Sequence, residues 1–128
     1  MARILIADDD AIVTDIVSEA FRRNGHSVVT ARDGRQALDQ MARHQADIVI
    51  LDWSMPGMTG QEALRNLRQS QRHTGVPVLV LTGADATTHM LTALIEGADG
   101  FIAKACAPDV LVHRAESLLI ERRGSTRR

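Results

Sequence analysis

Residues 47–60 read Asp-Ile-Val-Ile-Leu-Asp-Trp-Ser-Met-Pro-Gly-Met-Thr-Gly, and this stretch indicates the fold. The apolar residues from Ile48 to Leu51 do not alternate with polar ones, which predicts a short strand buried on both faces. Asp52 ends the run, and Pro56-Gly57 then marks a loop. A second run of this kind, Pro77 to Leu81, favours a parallel sheet, because helices cover both faces of such sheets.

Short apolar runs alternate with helical patterns along the whole chain. The predicted strands are Ile4–Ala7, Ser27–Thr30, Asp47–Leu51, Pro77–Leu81 and Gly100–Ala103. The predicted helices are Ala11–Arg23, Gly34–His44, Gln61–Gln71, Ala86–Glu96 and Pro108–Arg122. This order predicts a (βα)5 fold of the α/β class, a doubly wound parallel sheet with helices on both faces. We expect residues 1–122 to form one domain and the basic residues 123–128 a tail or the start of a linker.

The composition is that of an ordinary globular domain. Of 128 residues, 45% are hydrophobic and 24% charged, and the net charge of −1 argues against direct nucleic-acid binding. The single cysteine, Cys106, permits no internal disulfide and fits a reducing compartment. No apolar run is long enough to insert into a membrane, and the N-terminus lacks the pattern of a signal peptide. We therefore expect a soluble cytoplasmic protein.

Polar residues at the carboxyl ends of the predicted strands form the candidate site, because ligands of open parallel sheets bind there. These residues are Asp8, Asp9 and Asp10, then Asp52, Thr82 and Lys104. Gathered carboxylates repel one another, and a hard divalent cation such as Mg²⁺ relieves this repulsion. With a lysine and a hydroxyl for the phosphoryl oxygens, the set suits an aspartyl phosphate. Asp10 has a second interpretation, as the N-cap of the first helix.

At these positions the chain resembles the receiver domain of bacterial response regulators, the CheY-like superfamily. The matching motifs are residues 4–10, 52–60, 81–84 and 97–104, and the resemblance covers residues 2–121. It implies the flavodoxin-like, CheY-like strand order 2-1-3-4-5. It also implies two-component signalling, with a histidine kinase or a histidine phosphotransfer protein as the phosphoryl donor. The protein is then a phosphorylatable signalling switch rather than an enzyme.

The resemblance also implies a role for each matching residue. Asp52 corresponds to the phosphoacceptor. The implied Mg²⁺ ligands are Asp8, Asp9, Asp52 and the backbone carbonyl of Ser54. The residues implied to bind the phosphoryl group, or to switch with it, are Thr82, Lys104 and Phe101.

The implied output surface is the fourth helix, the fifth strand and the fifth helix. The fourth helix carries four large apolar residues, Met90, Leu91, Leu94 and Ile95, and half of them must face the sheet. We expect Met90 and Leu94 to be exposed near Phe101. This patch would receive a downstream effector protein or a second copy of the chain.

One residue departs from the family pattern. The family usually has proline after the lysine, often with a cis bond, and this chain has Ala105. A cis bond before alanine costs about 2.5–4 kcal/mol, so we expect a trans bond and a reshaped loop around Lys104.

Two other interpretations stay open: a pseudo-receiver that acts as an interaction module without phosphorylation, and a receiver cut from a larger regulator. An enzyme of the haloacid-dehalogenase type is disfavoured, because Ser54 stands where that class has a second aspartate.

Overall fold

The computed structural model describes residues 1–83 and 86–126, without the side chains of 86–90 and 122–126. Five strands alternate with five helices along the chain. The strands are β1 (Arg3–Ala7), β2 (Ser27–Ala31), β3 (Ile48–Asp52), β4 (Val78–Thr82) and β5 (Gly100–Ala103). The helices are α1 (Ala11–Arg23), α2 (Gly34–His44), α3 (Gly60–Gln69), α4 (Ala86–Ile95) and α5 (Pro108–Thr126). The predicted βα repeat is confirmed.

All four strand pairings are parallel, and the strand order is β2-β1-β3-β4-β5, as predicted. Side chains of one strand alternate between two hydrophobic cores. Val49 and Leu51 of β3 pack on the side of α2 and α3, whereas Ile48 and Ile50 pack on the side of α1 and α5. Every residue of β3 is buried, which explains why this strand shows no polar alternation in the sequence.

Local capping sets where the helices next to the sheet edge begin. Asp10 is the N-cap of α1, and its carboxylate accepts hydrogen bonds from the N–H groups of Ile12 and Val13. Thr59 and Glu62 form a capping box at the start of α3. These caps fix the starts of α1 and α3, just after the loops that follow β1 and β3.

Three helices differ from the sequence prediction, and the first of them, α3, is Gly60–Gln69 instead of Gln61–Gln71. The expectation that half of the apolar residues of α4 face the sheet is wrong, because Leu91, Leu94 and Ile95 are 62%, 47% and 83% exposed. The fully buried Ala93 takes the sheet-facing position, which turns its larger neighbours outward. Helix α5 continues to Thr126 and so passes the predicted end at Arg122.

No helix in the described part of the chain is long and apolar enough to cross a membrane.

Arg68 of α3 ties together the turns that flank β4 and β5. Its Nε donates to the carbonyl of Gly97 at 2.9 Å, and Nη1 donates to the carbonyls of Thr74 (3.1 Å) and Val76 (2.7 Å). Nη2 donates to the Asp99 carboxylate at 3.0 Å. One guanidinium therefore satisfies three backbone carbonyls that helices and strands leave unpaired.

Arg68→Ala is expected to lower the free energy of unfolding by about 2 kcal/mol, because it leaves several of these acceptors without a donor. The nearby Arg72 is exposed, so Arg72→Ala is expected to change stability by less than about 0.5 kcal/mol. Urea unfolding of both variants measures the difference. Equal losses in the two variants would contradict this role for Arg68.

Candidate functional site

Three carboxylates meet at the carboxyl edge of the sheet. Asp8 follows β1 and Asp52 ends β3, and both side chains are buried, whereas Asp9 is exposed. One oxygen from each of the three lies within 4.8 Å of the others. The adjacent positions of β1 and β3 in the sheet produce this cluster, because parallel neighbours end at the same edge.

Lys104 brings a positive charge to the buried pair. Its Nζ donates to Oδ1 of Asp8 at 3.0 Å and to Oδ2 of Asp52 at 3.2 Å. The Lys104 backbone N–H donates to the carbonyl of Thr82 at 2.8 Å, which fixes the start of the loop after β5. The peptide bond to Ala105 is trans, as expected. With this trans bond the Lys104 amine still reaches both carboxylates.

The electrostatics of the site disfavour a charged Asp52. Burial and the neighbouring charge of Asp8 raise the pKa of Asp52 from 3.8 to about 6. Hydrogen bonds from Lys104 and from the N–H of Ser54 (3.2 Å) oppose this shift without cancelling it. Burial lowers the pKa of Lys104, but its hydrogen bonds to the two carboxylates outweigh burial and raise that pKa overall. The single positive charge of Lys104 therefore does not neutralise the two buried carboxylates, Asp8 and Asp52.

The donor set fits a hard divalent cation. The second oxygen of Asp8, Oδ2, is buried and has no hydrogen-bond partner among the described residues. A buried carboxylate oxygen without a partner is costly, and a bound cation removes that cost. All three available donors are carboxylate oxygens, the ligands that Mg²⁺ and Ca²⁺ prefer. Asp8, Asp9 and Asp52 could therefore hold such an ion.

The cluster is open to solvent on two sides. A groove of about 470 Å³ borders Asp8 and Asp9 on the side of α1 and Arg32. A second groove, of about 570 Å³, runs from Asp9 past Trp53 and Ser54. Both grooves therefore bring solvent to the cluster at Asp9, beside the buried Asp52.

The other residues named from the sequence lie around this cluster. Thr82 ends β4 with its side chain buried, and its hydroxyl donates to the carbonyl of Ile102 in β5 at 3.4 Å. Phe101 is half-buried and packs against the core on the α2–α3 side. Leu94 is exposed on α4. The side chain of Met90 lies outside the described residues.

Sequence reasoning missed Gly60, the first residue of α3. A Cβ built at this position would overlap the carbonyl oxygen of Asp52 and would lie 2.8 Å from Cα of Trp53. The start of α3 therefore rests directly on the backbone of the candidate phosphoacceptor. The available signal was a glycine at the first position of a helix, where glycine is unfavourable unless another backbone approaches closely.

A five-stranded doubly wound sheet with this acidic edge and its lysine defines a CheY-like domain. The family described as the response regulator receiver domain matches residues 4–116, and the chain belongs to that family. Receiver domains of two-component response regulators accept a phosphoryl group on an aspartate.

Similar proteins agree with this assignment. The chain is 39% identical over 117 residues to the response regulator MprA of Mycolicibacterium vanbaalenii, covering 91% of this chain and 50% of that protein. It is 35% identical to the probable transcriptional regulatory protein TcrX of Mycobacterium tuberculosis, over 91% of this chain and 49% of that protein. The chain thus spans about half the length of the curated relatives it matches.

Among solved structures, the chain resembles the chemotaxis protein CheY4 of Vibrio cholerae, with a TM-score of 0.86 and 31% identity over 91% of this chain and 98% of that one. It also resembles NtrX from Brucella abortus, with a TM-score of 0.92 and 27% identity over 98% of this chain and 29% of that one.

Proposed function

We propose that Asp52 accepts a phosphoryl group from a phosphohistidine on a histidine kinase or a histidine phosphotransfer protein. A carboxylate oxygen of Asp52 forms the new bond to phosphorus, and the bond from phosphorus to the donor imidazole breaks. The observation that carries this proposal is the buried pair Asp8 and Asp52, bridged by Lys104, with one Asp8 oxygen unpartnered. The two buried carboxylates have too little positive charge beside them, and the third carboxylate of the cluster, Asp9, is exposed to solvent.

We propose Mg²⁺ as the cation, held by Asp8, Asp9, Asp52 and the backbone carbonyl of Ser54. When bound, the ion neutralises charge on the transferring phosphoryl oxygens. Lys104 would bind a second phosphoryl oxygen. Thr82 would turn its hydroxyl from the carbonyl of Ile102 toward the phosphoryl group, and Phe101, the preceding residue of β5, would move with it.

We also propose that the chain is a switch that assists its own phosphorylation and dephosphorylation rather than an enzyme with a separate substrate. Its output surface would be the exposed apolar face of α4, Leu91, Leu94 and Ile95, together with β5 and α5. An effector protein or a second copy of the chain would cover this face. We place the switch in the cytoplasm, in residues 1–122, with 123–128 as a tail or the start of a linker to an output domain.

Phosphoryl uptake from acetyl phosphate tests the function directly. In the presence of Mg²⁺, we expect the intact mass to rise by one phosphoryl group, located on the peptide that contains Asp52. Chelation of Mg²⁺ should prevent the gain. Fluorescence of Trp53, the only tryptophan and the neighbour of Asp52, should respond first to Mg²⁺ and then to the donor. A chain that binds no metal and gains no phosphoryl group from acetyl phosphate or a phosphorylated kinase would instead be a pseudo-receiver.

Asp8→Asn is expected to weaken Mg²⁺ binding at least about tenfold, because the amide removes the charge at the oxygen that has no other partner. The matched control is Asp15→Asn. It removes the charge of an exposed carboxylate that lines the groove on the side of α1, as Asp8 does. Titration of each variant with Mg²⁺, followed by Trp53 fluorescence, gives the dissociation constants. Similar losses in both variants would show that general negative charge, and not the buried Asp8, binds the ion.

A further inference from the structure

One stripe of α3 donates hydrogen bonds to the end of α4. Gln61, Arg65 and Arg68 occupy positions i, i+4 and i+7 of α3, so they share one face of the helix. Nε2 of Gln61 donates to Oε1 of Glu96 at 3.2 Å. Arg65 donates to the same oxygen from Nε at 3.0 Å and from Nη2 at 2.7 Å. Three N–H groups therefore converge on one carboxylate oxygen.

Glu96 and the residue after it mark the point where α4 ends. The Glu96 N–H donates to the carbonyl of Thr92, and Gly97 follows with a positive φ of 104°. The Gly97 carbonyl accepts from Arg68 of the same stripe at 2.9 Å. Leu94 and Ile95, which belong to the exposed apolar face of α4, directly precede this anchor. The orientation of that face is therefore tied to α3.

The other end of α3 contacts the phosphoacceptor. Gly60 leaves no gap between the helix and the backbone of Asp52 and Trp53, and its N–H donates to the carbonyl of Trp53 at 3.2 Å. A capping box makes the first turn of α3 rigid. A shift of the backbone at Asp52 therefore moves the stripe, and Gln61 lies in that first turn.

We propose that Glu96 is a positioning residue that couples the state of Asp52 to the apolar face of α4 through the stripe Gln61, Arg65 and Arg68. The coupling rests on the proposed phosphorylation of Asp52. The coupling needs no direct contact between the site and α4. Helix α3 contacts the backbone of Asp52 at its first residue and donates hydrogen bonds to Glu96 from one face. The two charge-assisted hydrogen bonds from Arg65 fix the orientation of the Glu96 carboxylate.

Methyl NMR on the full chain tests the coupling. Leu94 and Ile95 are ¹³C-methyl labelled, and their signals are recorded with Mg²⁺ before and after acetyl phosphate. The intact mass of the same sample gives the extent of Asp52 phosphorylation. In the wild type we expect both methyl signals to move on phosphorylation. In Arg65→Ala and Glu96→Gln we expect the same phosphorylation but a methyl displacement reduced by about half or more.

Two further variants separate coupling from general damage. Arg65→Lys keeps the charge without the planar fork and should restore part of the displacement. Arg35→Ala removes an exposed arginine from α2 and should behave like the wild type. Phosphorylated Arg65→Ala and Glu96→Gln with full methyl displacement would overturn the coupling alone. A wild type that takes up no phosphoryl group would overturn the proposed function, and the coupling with it. Loss of phosphorylation in the two variants would also overturn the coupling, because the stripe would then act on the phosphorylation of Asp52 itself.

Discussion

Asp52→Asn is expected to take up no phosphoryl group and, in metal-free buffer, to be more stable than the wild type. The amide is not a nucleophile for phosphorus under these conditions, so uptake should fall from complete to none. The stability change has a separate cause. The wild type carries two buried carboxylates against one lysine, and the amide removes one charge while Lys104 keeps its bond to Asp8.

The sign and the pH window of the stability gain follow from the raised pKa of Asp52. That pKa is about 6 in the folded protein and 3.8 in the reference state, so the folded protein holds the proton more tightly. The resulting stabilisation is complete below the lower value and is lost as pH rises through about 6. At neutral pH we expect Asp52→Asn to be more stable by about 1–2 kcal/mol, after allowance for screening in the adjoining groove.

Urea unfolding on both sides of pH 6, with a chelator, measures this effect. The advantage of Asp52→Asn should be present at neutral pH and should shrink as the buffer is made more acidic. Saturating Mg²⁺ should remove it, because only the wild type keeps the full set of ligands. A variant that is less stable than the wild type at neutral pH would mean that the bond from Lys104 outweighs the repulsion between the carboxylates.

The sequence predicted the parts of the fold that follow from one-dimensional patterns. Apolar runs such as Ile48 to Leu51 mark strands buried on both faces. Gly97 marks the end of α4, and Pro108 marks the start of α5. The positions of Asp8, Asp52 and Lys104 at one edge follow from the parallel sheet. Their contact with one another was inferred, and the structure brings them within hydrogen-bonding distance.

The remainder depends on rotations and long-range contacts that no local pattern encodes. The apolar residues of α4 gave no reason to favour Ala93 as the buried one, and the helix is turned so that Leu91, Leu94 and Ile95 face outward. The bonds from Arg65 to Glu96 join residues that are 31 positions apart. From the sequence alone, both side chains would be expected to be solvated. The trans bond before Ala105, by contrast, followed from the local sequence alone, because a cis bond before a residue other than proline is costly.

Gly60→Ala is expected to lower the free energy of unfolding by about 3 kcal/mol and to reduce phosphoryl uptake at least about tenfold. Helix propensity alone predicts the opposite sign, since alanine is favoured over glycine in a helix by about 1 kcal/mol. The new Cβ would overlap the carbonyl oxygen of Asp52, and backbone atoms cannot rotate away as the end of a side chain can. Helix α3 must therefore move off β3.

The matched control is Gly83→Ala, where a Cβ meets no atom of the described residues within 4 Å. Urea unfolding and the initial rate of uptake from acetyl phosphate are measured on both variants. We expect Gly83→Ala to stay close to the wild type in stability. If Gly60→Ala were stabilised, helix propensity would outweigh packing at this position, and the contact between α3 and Asp52 would be loose. A loose contact would also remove the path by which Asp52 is proposed to reach Glu96, so this one substitution bears on both the site and its coupling to α4.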